Sequence, residues 1–256
     1  MTLWRALHAE TLKMKRTIAL KMVVLAPVAV VSLVFFMAVN APFSTIKRGG
    51  ADGEWAGLAQ ITFLFWAMLM MPLFISLEAA LVSGLDHADN QWKSLLARPV
   101  PRWTWYVAKL IVVIVMLAAS MLLLQAAIIV AALILPLLQP ELHFAFPIPW
   151  KFIFKPGAQI FGLALLSVSI QHWVSLRWRS FSVAIGFGIV AMLVGYVAAM
   201  VTFRTADWPQ YFPWALPMLV LSRHPQNAET VLWISVVIGL VISVAGCWEF
   251  CRREIQ

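Results

Sequence analysis

Six long stretches of the chain consist of apolar residues, and shorter segments between them hold the charge. None of the six contains Asp, Glu, Lys or Arg; they cover residues 22–41, 58–77, 110–138, 156–175, 180–203 and 230–248. A helix needs about 20 apolar residues to cross the roughly 30 Å hydrocarbon core of a bilayer. Because a charge at mid-helix costs about 2.5–3.5 kcal/mol on insertion scales, the pattern predicts six transmembrane helices. We expect one all-α membrane domain over residues 1–256.

The overall composition also indicates lipid surroundings for most of the chain. Hydrophobic residues make up 62% of the sequence and charged residues 12%, against about 25% charged in soluble domains. The formal net charge of +8 could suggest a nucleic-acid partner. Such binding requires cations clustered on a folded polar surface, whereas here they lie in short loops between apolar stretches. Nucleic acid is therefore not an expected partner.

The positions of Lys and Arg predict the orientation, because short cytoplasmic segments retain positive charge. An N-terminus in the cytoplasm puts thirteen cations inside: Arg5, Lys13, Lys15, Arg16, Lys21, Lys93, Arg98, Arg102, Lys109, Arg177, Arg179, Arg252 and Arg253. It leaves six outside: Lys47, Arg48, Lys151, Lys155, Arg204 and Arg223. Both termini are therefore predicted to be cytoplasmic, as an even number of spans requires.

Residues 1–19 precede the first span and form a basic leader. Leu3, Leu7 and Met14 fall near one helical face, and Lys13 and Lys15 supply cations, which favours a helix in the headgroup plane. A frayed basic tail is the alternative. A cleaved signal peptide is not expected, because the following apolar stretch exceeds the usual 7–15 residues and five more spans follow.

The connection between the second and third spans, residues 84–109, contains a short amphipathic pattern. Asp86 is a candidate N-cap, and Asp89 adds negative charge to the first turn. One apolar stripe repeats at helical spacing: Ala88, Trp92, Leu95 and Leu96. Asp89, Asn90 and Lys93 face elsewhere, and Pro99 and Pro101 end the helix. The segment is either a docking surface for a cytoplasmic partner or a helix that rests on the headgroups.

Two ionisable residues lie near the ends of spans, where we expect structural or gating roles. Glu78 follows the uncharged stretch of the second span, and an ionisable group at membrane depth is a functional candidate. Its position favours pairing with a basic group, or capping of the helix that begins at Asp86, over contact with a substrate. His172, near the end of the fourth span, is predicted to be a packing histidine.

The outer segment 204–229 contains aromatic residues interrupted by prolines, and then a short apolar run at 218–221. Trp208 and Trp214 are among its aromatic residues. It is too apolar to extend freely into water, so a dip into the outer leaflet or a lid over a pathway is favoured over an ordinary aromatic belt. In the fifth span, Gly188 and Gly195 each lie four residues from an alanine, a spacing that allows close helix packing.

Catalytic and metal-binding motifs are missing from the sequence. It has no G-x-x-x-x-G-K-[ST] phosphate loop and no H-E-x-x-H motif, and no nucleophile with a base and an orienting partner. Cys247 and Cys251 lie one helical turn apart without other metal ligands nearby. The spans carry almost nothing ionisable at mid-depth, which disfavours a proton-coupled carrier. These exclusions leave a membrane scaffold that receives its energy through a partner protein.

Several short sequences resemble ABC-2 type ABC-transporter permeases, and within them the branch that includes lantibiotic-immunity and bacitracin-resistance permeases. They are NQWKSL at 90–95, RPVPR at 98–102, AKL at 108–110, QHWVSLRWRSF at 171–181 and FPW at 212–214. The order of leader, spans and the acidic residue Glu78 before the 84–109 connection is similar as well. The resemblance extends over nearly the whole chain.

This resemblance implies two six-helix permease subunits, identical or paralogous, with two cytoplasmic ATPase subunits that bind ATP and Mg²⁺. The leader would be the interfacial elbow helix. The coupling helix would dock on the ATPase through Asp86, Asp89, Asn90, Trp92, Lys93, Leu95, Leu96 and Arg98. Such proteins of the bacterial cytoplasmic membrane export, or clear from the membrane, hydrophobic or amphipathic compounds such as antimicrobial peptides, lipids or drugs. The chain itself would bind no cofactor and catalyse no reaction. The alternative is a membrane-embedded enzyme or assembly factor without an ATPase partner.

Overall fold

The computed structural model describes residues 2–15, 17–40, 51–88, 101–144, 146–178, 180–202, 211–221 and 228–252. Within these ranges the chain forms α-helices and no strand. The helices are α1 (Thr2–Met14), α2 (Ile18–Asn40), α3 (Ala51–Phe65), α4 (Met71–Ala88), α5 (Arg102–Leu138), α6 (Trp150–Arg177), α7 (Phe181–Thr202) and α8 (Ala228–Arg252). A π-helical turn, Trp66–Met70, joins α3 to α4, and a 3-10 helix covers Leu216–Leu221.

Six helical segments in the described part of the chain are long and apolar enough to cross a membrane, which confirms the predicted all-α, six-span architecture. They are Ile18–Asn40, Gly53–Gly84, Arg102–Leu138, Trp150–Arg177, Phe181–Val201 and Ala228–Arg252. Four of them extend well beyond the apolar stretches that predicted them. Backbone hydrogen bonds continue a helix through polar flanking residues, whereas a stretch defined by the absence of charge ends at the first charged residue.

This lengthening changes the predicted connection 84–109. Residues 84–88 continue α4 and residues 102–109 form the first two turns of α5. Asp86 therefore lies in the last turn of α4, so its prediction as an N-cap was wrong. Pro101 instead precedes the first residue of α5 as its N-cap, in keeping with the missing N–H of proline. Residues 89–100, which hold most of the predicted amphipathic helix, fall outside the described ranges.

The first and last helices meet at one end of the bundle, which we call the leader end. Ala6 of α1 packs with Trp105 and Ala108 in the first turns of α5. Phe250 of α8 packs there with Tyr106 of α5. At the opposite end, Gln139 Nε2 donates to the carbonyl oxygen of Val39 at 2.7 Å. The leader and the end of α8 thus lie on the same side of the six spans, and the distribution of cations predicts that this side is cytoplasmic.

Small residues on α8 allow it to pack closely along α6. They recur at a spacing of three or four: Ser235, Gly239, Ser243 and Gly246. Ser243 Oγ lies 3.0 Å from Ser169 Oγ, and a Cβ added at Gly239 would lie 3.4 Å from the Cα of Leu166. Lipid tails are as apolar as leucine, so helices in a bilayer associate through such close packing. Close packing was predicted for the fifth span alone, and the stripe on the sixth span was not predicted.

Candidate functional site

A buried lysine joins three helices at the leader end. Lys109 of α5 is 1% exposed, and its Nζ donates to Glu10 Oε2 of α1 at 2.9 Å and to the carbonyl oxygen of Val82 of α4 at 2.8 Å. Glu10 is itself fully buried and accepts a second hydrogen bond, from Lys13 Nζ at 2.9 Å. Lys109 was counted among the cations of a cytoplasmic loop, but it lies within helix α5. Its partner Glu10 is 99 residues away in sequence, beyond the reach of any local pattern.

The leader helix lies against the bundle along one face. Ala6, Glu10 and Met14 are buried at successive turns of α1, and Lys13 Nζ lies 5.9 Å from the ring centroid of Trp105. The opposite face exposes Trp4, at 74%, and Leu12. The alternative of a frayed tail is therefore excluded. Exposed apolar side chains on a basic helix suit the headgroup region of a membrane, so α1 can contact lipid while it packs on α5.

Glu78 lies on α4 one helical turn before Val82. Its side chain is fully buried, and neither carboxylate oxygen has a hydrogen-bond partner among the described residues. The expected pairing with a basic group is not found in this part of the chain. The predicted start of the capped helix, Asp86, lies within α4 itself, and most of that predicted helix falls outside the described residues. A buried ionisable group without a partner is costly at membrane depth.

His172 connects α6 to the first turns of α5. It is fully buried, and its Nε2 lies 3.3 Å from the backbone oxygen of Tyr106. The two rings meet edge to face with their centroids 4.8 Å apart. The neighbouring Gln171 donates from Nε2 to the carbonyl oxygen of Ala184 at 2.8 Å. Together these two residues hold α6 against α5 and α7, which is a packing role.

An ion pair and a hydrogen bond hold the last turns of α8 on α6. Arg177 pairs with Glu249, and Trp173 Nε1 donates to the same carboxylate at 2.8 Å. Within α8, the guanidinium carbon of Arg252 lies 4.0 Å from the ring centroid of Trp248. Cations near the C-terminus of a helix also interact favourably with its dipole. These contacts add α6 and α8 to the set of helices joined at the leader end.

The described part of the outer segment, residues 211–221, enters the bundle. Trp214, Leu216 and Met218 are buried, and Ser167 Oγ donates to the carbonyl oxygen of Pro213 at 2.8 Å. Pro156 begins the apolar stretch that predicted this span, and Ser167 lies eleven residues further along α6, or about 16 Å at 1.5 Å per residue. Because the hydrocarbon core is about 30 Å thick, the contact with Pro213 lies about halfway along the span. Trp208 falls outside the described residues.

Residues 6–196 match the sequence model of a family described as ABC-2 family transporter protein. The match begins in the leader, includes α2 to α6, and ends within α7. The chain belongs to the ABC-2 transporter family. It is therefore the permease of an ABC transporter, a multi-pass membrane subunit that works with an ATPase partner. Among curated proteins, none matches this chain.

The predicted docking residues of this ABC-2 permease lie beside the matched helices α4 and α5. Asp86 is in the last turn of α4. The other seven fall outside the described ranges: Asp89, Asn90, Trp92, Lys93, Leu95, Leu96 and Arg98. The structure thus describes the ends of α4 and α5 on either side of residues 89–100, which we call the coupling segment after its predicted role.

Gly188 and Gly195 of the permease both face neighbours within the same chain. A Cβ at Gly188 would collide with Ser76 of α4, and one at Gly195 would lie 2.8 Å from Trp214 Cβ. Gly188 thus allows α7 to approach α4, and Gly195 makes room for the buried outer segment. The spacing of small residues in the sequence indicated the close contacts but not the partners.

An apolar groove lies between α2 and α5 on the half of the bundle away from the leader end. Its volume is about 660 Å³, and its lining includes Val31, Phe35, Val39, Ala127, Ile134 and Leu138. Sites for small ligands span about 300–1,000 Å³. Among the described residues that line it, none is ionisable, and Ser32 and Asn40 supply the polar groups, so a ligand there would be recognised mainly through its apolar surface.

The contact between Gly246 and Tyr106 provides a test of packing at the leader end. A Cβ at Gly246 would lie 2.5 Å from Tyr106 Oη, and this hydroxyl has no hydrogen-bond partner among the described residues. We expect Gly246→Ala to lower the free energy of unfolding by about 1–3 kcal/mol through overpacking. Tyr106→Phe should be nearly neutral alone and should restore most of the loss in the double variant.

Unfolding of the four proteins in detergent, followed by circular dichroism, gives the coupling between the two positions. Simple additivity of the two single effects would contradict the close approach of α8 to Tyr106.

Proposed function

We propose that this permease is the membrane subunit of an ATP-driven exporter in the bacterial cytoplasmic membrane. It moves a hydrophobic or amphipathic compound, such as an antimicrobial peptide, a lipid or a drug, out of the cell or out of the membrane. Two ATPase subunits bind ATP and Mg²⁺, and a second permease subunit, identical or paralogous, completes the pathway. The branch of lantibiotic-immunity and bacitracin-resistance permeases is the one we propose for this chain.

The observation that supports this proposal most directly is the family match across both helices that hold the coupling segment. One of them, α5, has 37 residues, or about 56 Å of helix, against a hydrocarbon core of about 30 Å. A helix of that length can extend from the outer half of the bilayer well into the cytoplasm. It can therefore hold the coupling segment at the membrane surface, within reach of a cytoplasmic ATPase.

On this proposal the ATPase seats the apolar stripe of the coupling segment in a groove. Trp92, Leu95 and Leu96 supply apolar contact area, while Asp86, Asp89, Asn90, Lys93 and Arg98 set the charge pattern around it. Closure of the two ATPases then moves the coupling segments as rigid bodies and changes access between the two permeases. The chain's own residues transmit the movement and shape the pathway, and they perform no chemistry.

The exposed faces of the bundle are consistent with an apolar substrate and a second permease. Trp233, Leu240 and Val244 of α8 and Leu193 and Val197 of α7 are all more than half exposed. In a bilayer, such faces contact lipid or another subunit. The groove between α2 and α5 offers an apolar site at the depth where an amphipathic compound would sit in the outer leaflet.

Co-purification in a mild detergent tests the proposal. A tagged permease should recover an ATPase that carries a phosphate loop, and Trp92→Ala or Leu95→Ala should weaken its binding roughly thirtyfold, the loss expected for a buried interface anchor of about 2 kcal/mol. Ser94→Ala, a neighbouring position outside the predicted stripe, is the matched control. Membrane insertion should be the same for all four proteins.

Two results would contradict the proposal in different ways. Unchanged ATPase recovery with both alanine variants would remove the docking role of the stripe. No ATPase in any preparation would favour the alternative of a membrane-embedded assembly factor. Deletion of the gene should also increase sensitivity of the cells to membrane-active peptides, and unaltered sensitivity to peptides and apolar drugs would argue against export of these compounds.

A further inference from the structure

Lys109 and its partners link the helix ends that hold the coupling segment. Val82, whose carbonyl oxygen accepts from Lys109 Nζ, is six residues before the end of α4 at Ala88. Lys109 is seven residues after the start of α5 at Arg102. The same ammonium group pairs with Glu10 in the middle of α1. One charged group thus holds the two flanking helices and the leader together.

The burial of this cluster makes it rigid. Lys109 and Glu10 are both at most 1% exposed. Separating them would leave the charge of Lys109 without its carboxylate in an apolar region, which is costly, while Glu10 would keep Lys13. The contact around them is apolar and continuous, through Ala6, Trp105 and Ala108. While the ion pair is intact, α1 has to move with the ends of α4 and α5.

The leader helix is joined by a short turn to α2, which forms one wall of the groove. Only residues 15–17 separate α1 from α2, and Thr17 N donates to the carbonyl oxygen of Met14 at 3.0 Å. Helix α2 forms one wall of the groove through residues that include Val31, Phe35 and Val39. A displacement of α1 therefore acts on that wall through a very short connection.

We propose that Lys109 is a positioning residue that clamps the leader helix to the ends of α4 and α5 on either side of the coupling segment, so that movement of these ends reaches α2 and the groove through Glu10. This inference rests on the proposed function, since it requires an ATPase that acts on residues 89–100. Lys109 contacts neither nucleotide nor substrate in this mechanism, and it acts by holding α1, α4 and α5 in one arrangement.

Hydrogen–deuterium exchange of the permease alone tests the clamp. Glu10→Gln should speed exchange of the α1 amides on the order of 100-fold, because it leaves the buried charge of Lys109 without its carboxylate. Lys109→Met should give a smaller increase, because Lys13 still pairs with Glu10. The double variant should exchange no faster than the single variants, since it removes both charges. Lys109→Arg should retain most of the protection. Lys15→Gln, which removes an exposed cation next to α1, is the control and should change nothing.

Monodisperse elution of each variant and unchanged exchange in α6 and α8 would show that the bundle is intact. Equal protection of α1 in wild type, Glu10→Gln and Lys109→Met would overturn the clamp. Additive loss in the double variant would also overturn it, because the two residues would then act separately.

The second arm uses the permease with its co-purified ATPase, compared without nucleotide and after trapping with Mg²⁺, ATP and vanadate. In wild type, exchange should change at residues 89–100, in α1 and at the start of α2. In Glu10→Gln and Lys109→Met, the change at 89–100 should persist while those in α1 and α2 are lost. A response at 89–100 without one in α1 of wild type would overturn transmission through Lys109. No response at 89–100 would instead overturn the proposed function.

Discussion

Gly188→Leu should lower the midpoint of thermal unfolding of the permease by roughly 10 °C, the shift expected for about 3 kcal/mol in a chain of this size. The added side chain would collide with Oγ and Cβ of Ser76, whose hydroxyl is already held by the carbonyl oxygen of Pro72 at 2.8 Å. Neither atom can move aside without a shift of α4. The cost therefore falls on the α4–α7 interface as a whole.

Gly186 provides a matched control on the same helix. A Cβ there meets nothing within 4 Å, so Gly186→Leu makes the same chemical change without the collision. Scanning fluorimetry of both variants in one detergent compares them directly. Equal shifts for the two leucines would mean that loss of glycine itself, rather than contact with Ser76, sets the stability.

Gly195→Leu should displace the buried outer segment from the bundle. A Cβ at this position would lie 2.8 Å from Trp214 Cβ and 3.0 Å from its backbone carbon, and a backbone atom cannot rotate away as a side chain can. We expect a loss of stability of about 3 kcal/mol together with exposure of residues 211–221. Val194→Leu, at an exposed neighbouring position, is the control.

The displacement can be measured with a cysteine at Ala215, which is buried in the native protein. The two native cysteines, Cys247 and Cys251, would first be changed to serine. Maleimide labelling of Ala215→Cys should be slow in the otherwise native and Val194→Leu proteins and fast with Gly195→Leu. Slow labelling in all three would show that the segment stays in place despite the added side chain.

Polar contacts join several helices at the leader end. There the Lys109–Glu10 and Arg177–Glu249 pairs and the contact of His172 with Tyr106 join α1, α5, α6 and α8, and the bond from Lys109 to Val82 adds α4. The opposite half has polar contacts of its own, such as Gln139 with Val39, together with the apolar groove. Ion pairs and hydrogen bonds depend on direction and distance, so the leader end is suited to transmit movement. Apolar contacts adapt more readily, which suits a wall that must accept varied compounds.

Much of the architecture was predictable because the cost of a charge in lipid acts on each stretch of sequence separately. Six uncharged stretches therefore indicated six spans, and both termini on one side followed. The helix ends were not predictable in the same way, since residues 84–88 and 102–109 are polar enough to resemble a loop. Backbone hydrogen bonding keeps both segments helical, and Trp105 and Ala108 also pack on α1.

The candidate site was less predictable. The spacing of small residues indicated that Gly188 and Gly195 pack closely, but Ser76 and Trp214 could not be identified as their partners. Glu78 was expected to pair with a cation, yet it has no hydrogen-bond partner among the described residues. Lys109 does pair, with an acidic residue in a leader that was expected to contact only headgroups. Such pairings depend on which helices become neighbours.

The sequence by itself determined that this chain lies in a membrane, that it is all-helical with six spans, and to which family it is similar. Those properties follow from local hydrophobicity and short motifs. Only the tertiary structure decided that Lys109 is buried with Glu10, that residues 211–221 enter the bundle and that α2 and α5 enclose a groove. Each of these joins segments far apart in the chain, and their contact energies arise only once the helices have packed.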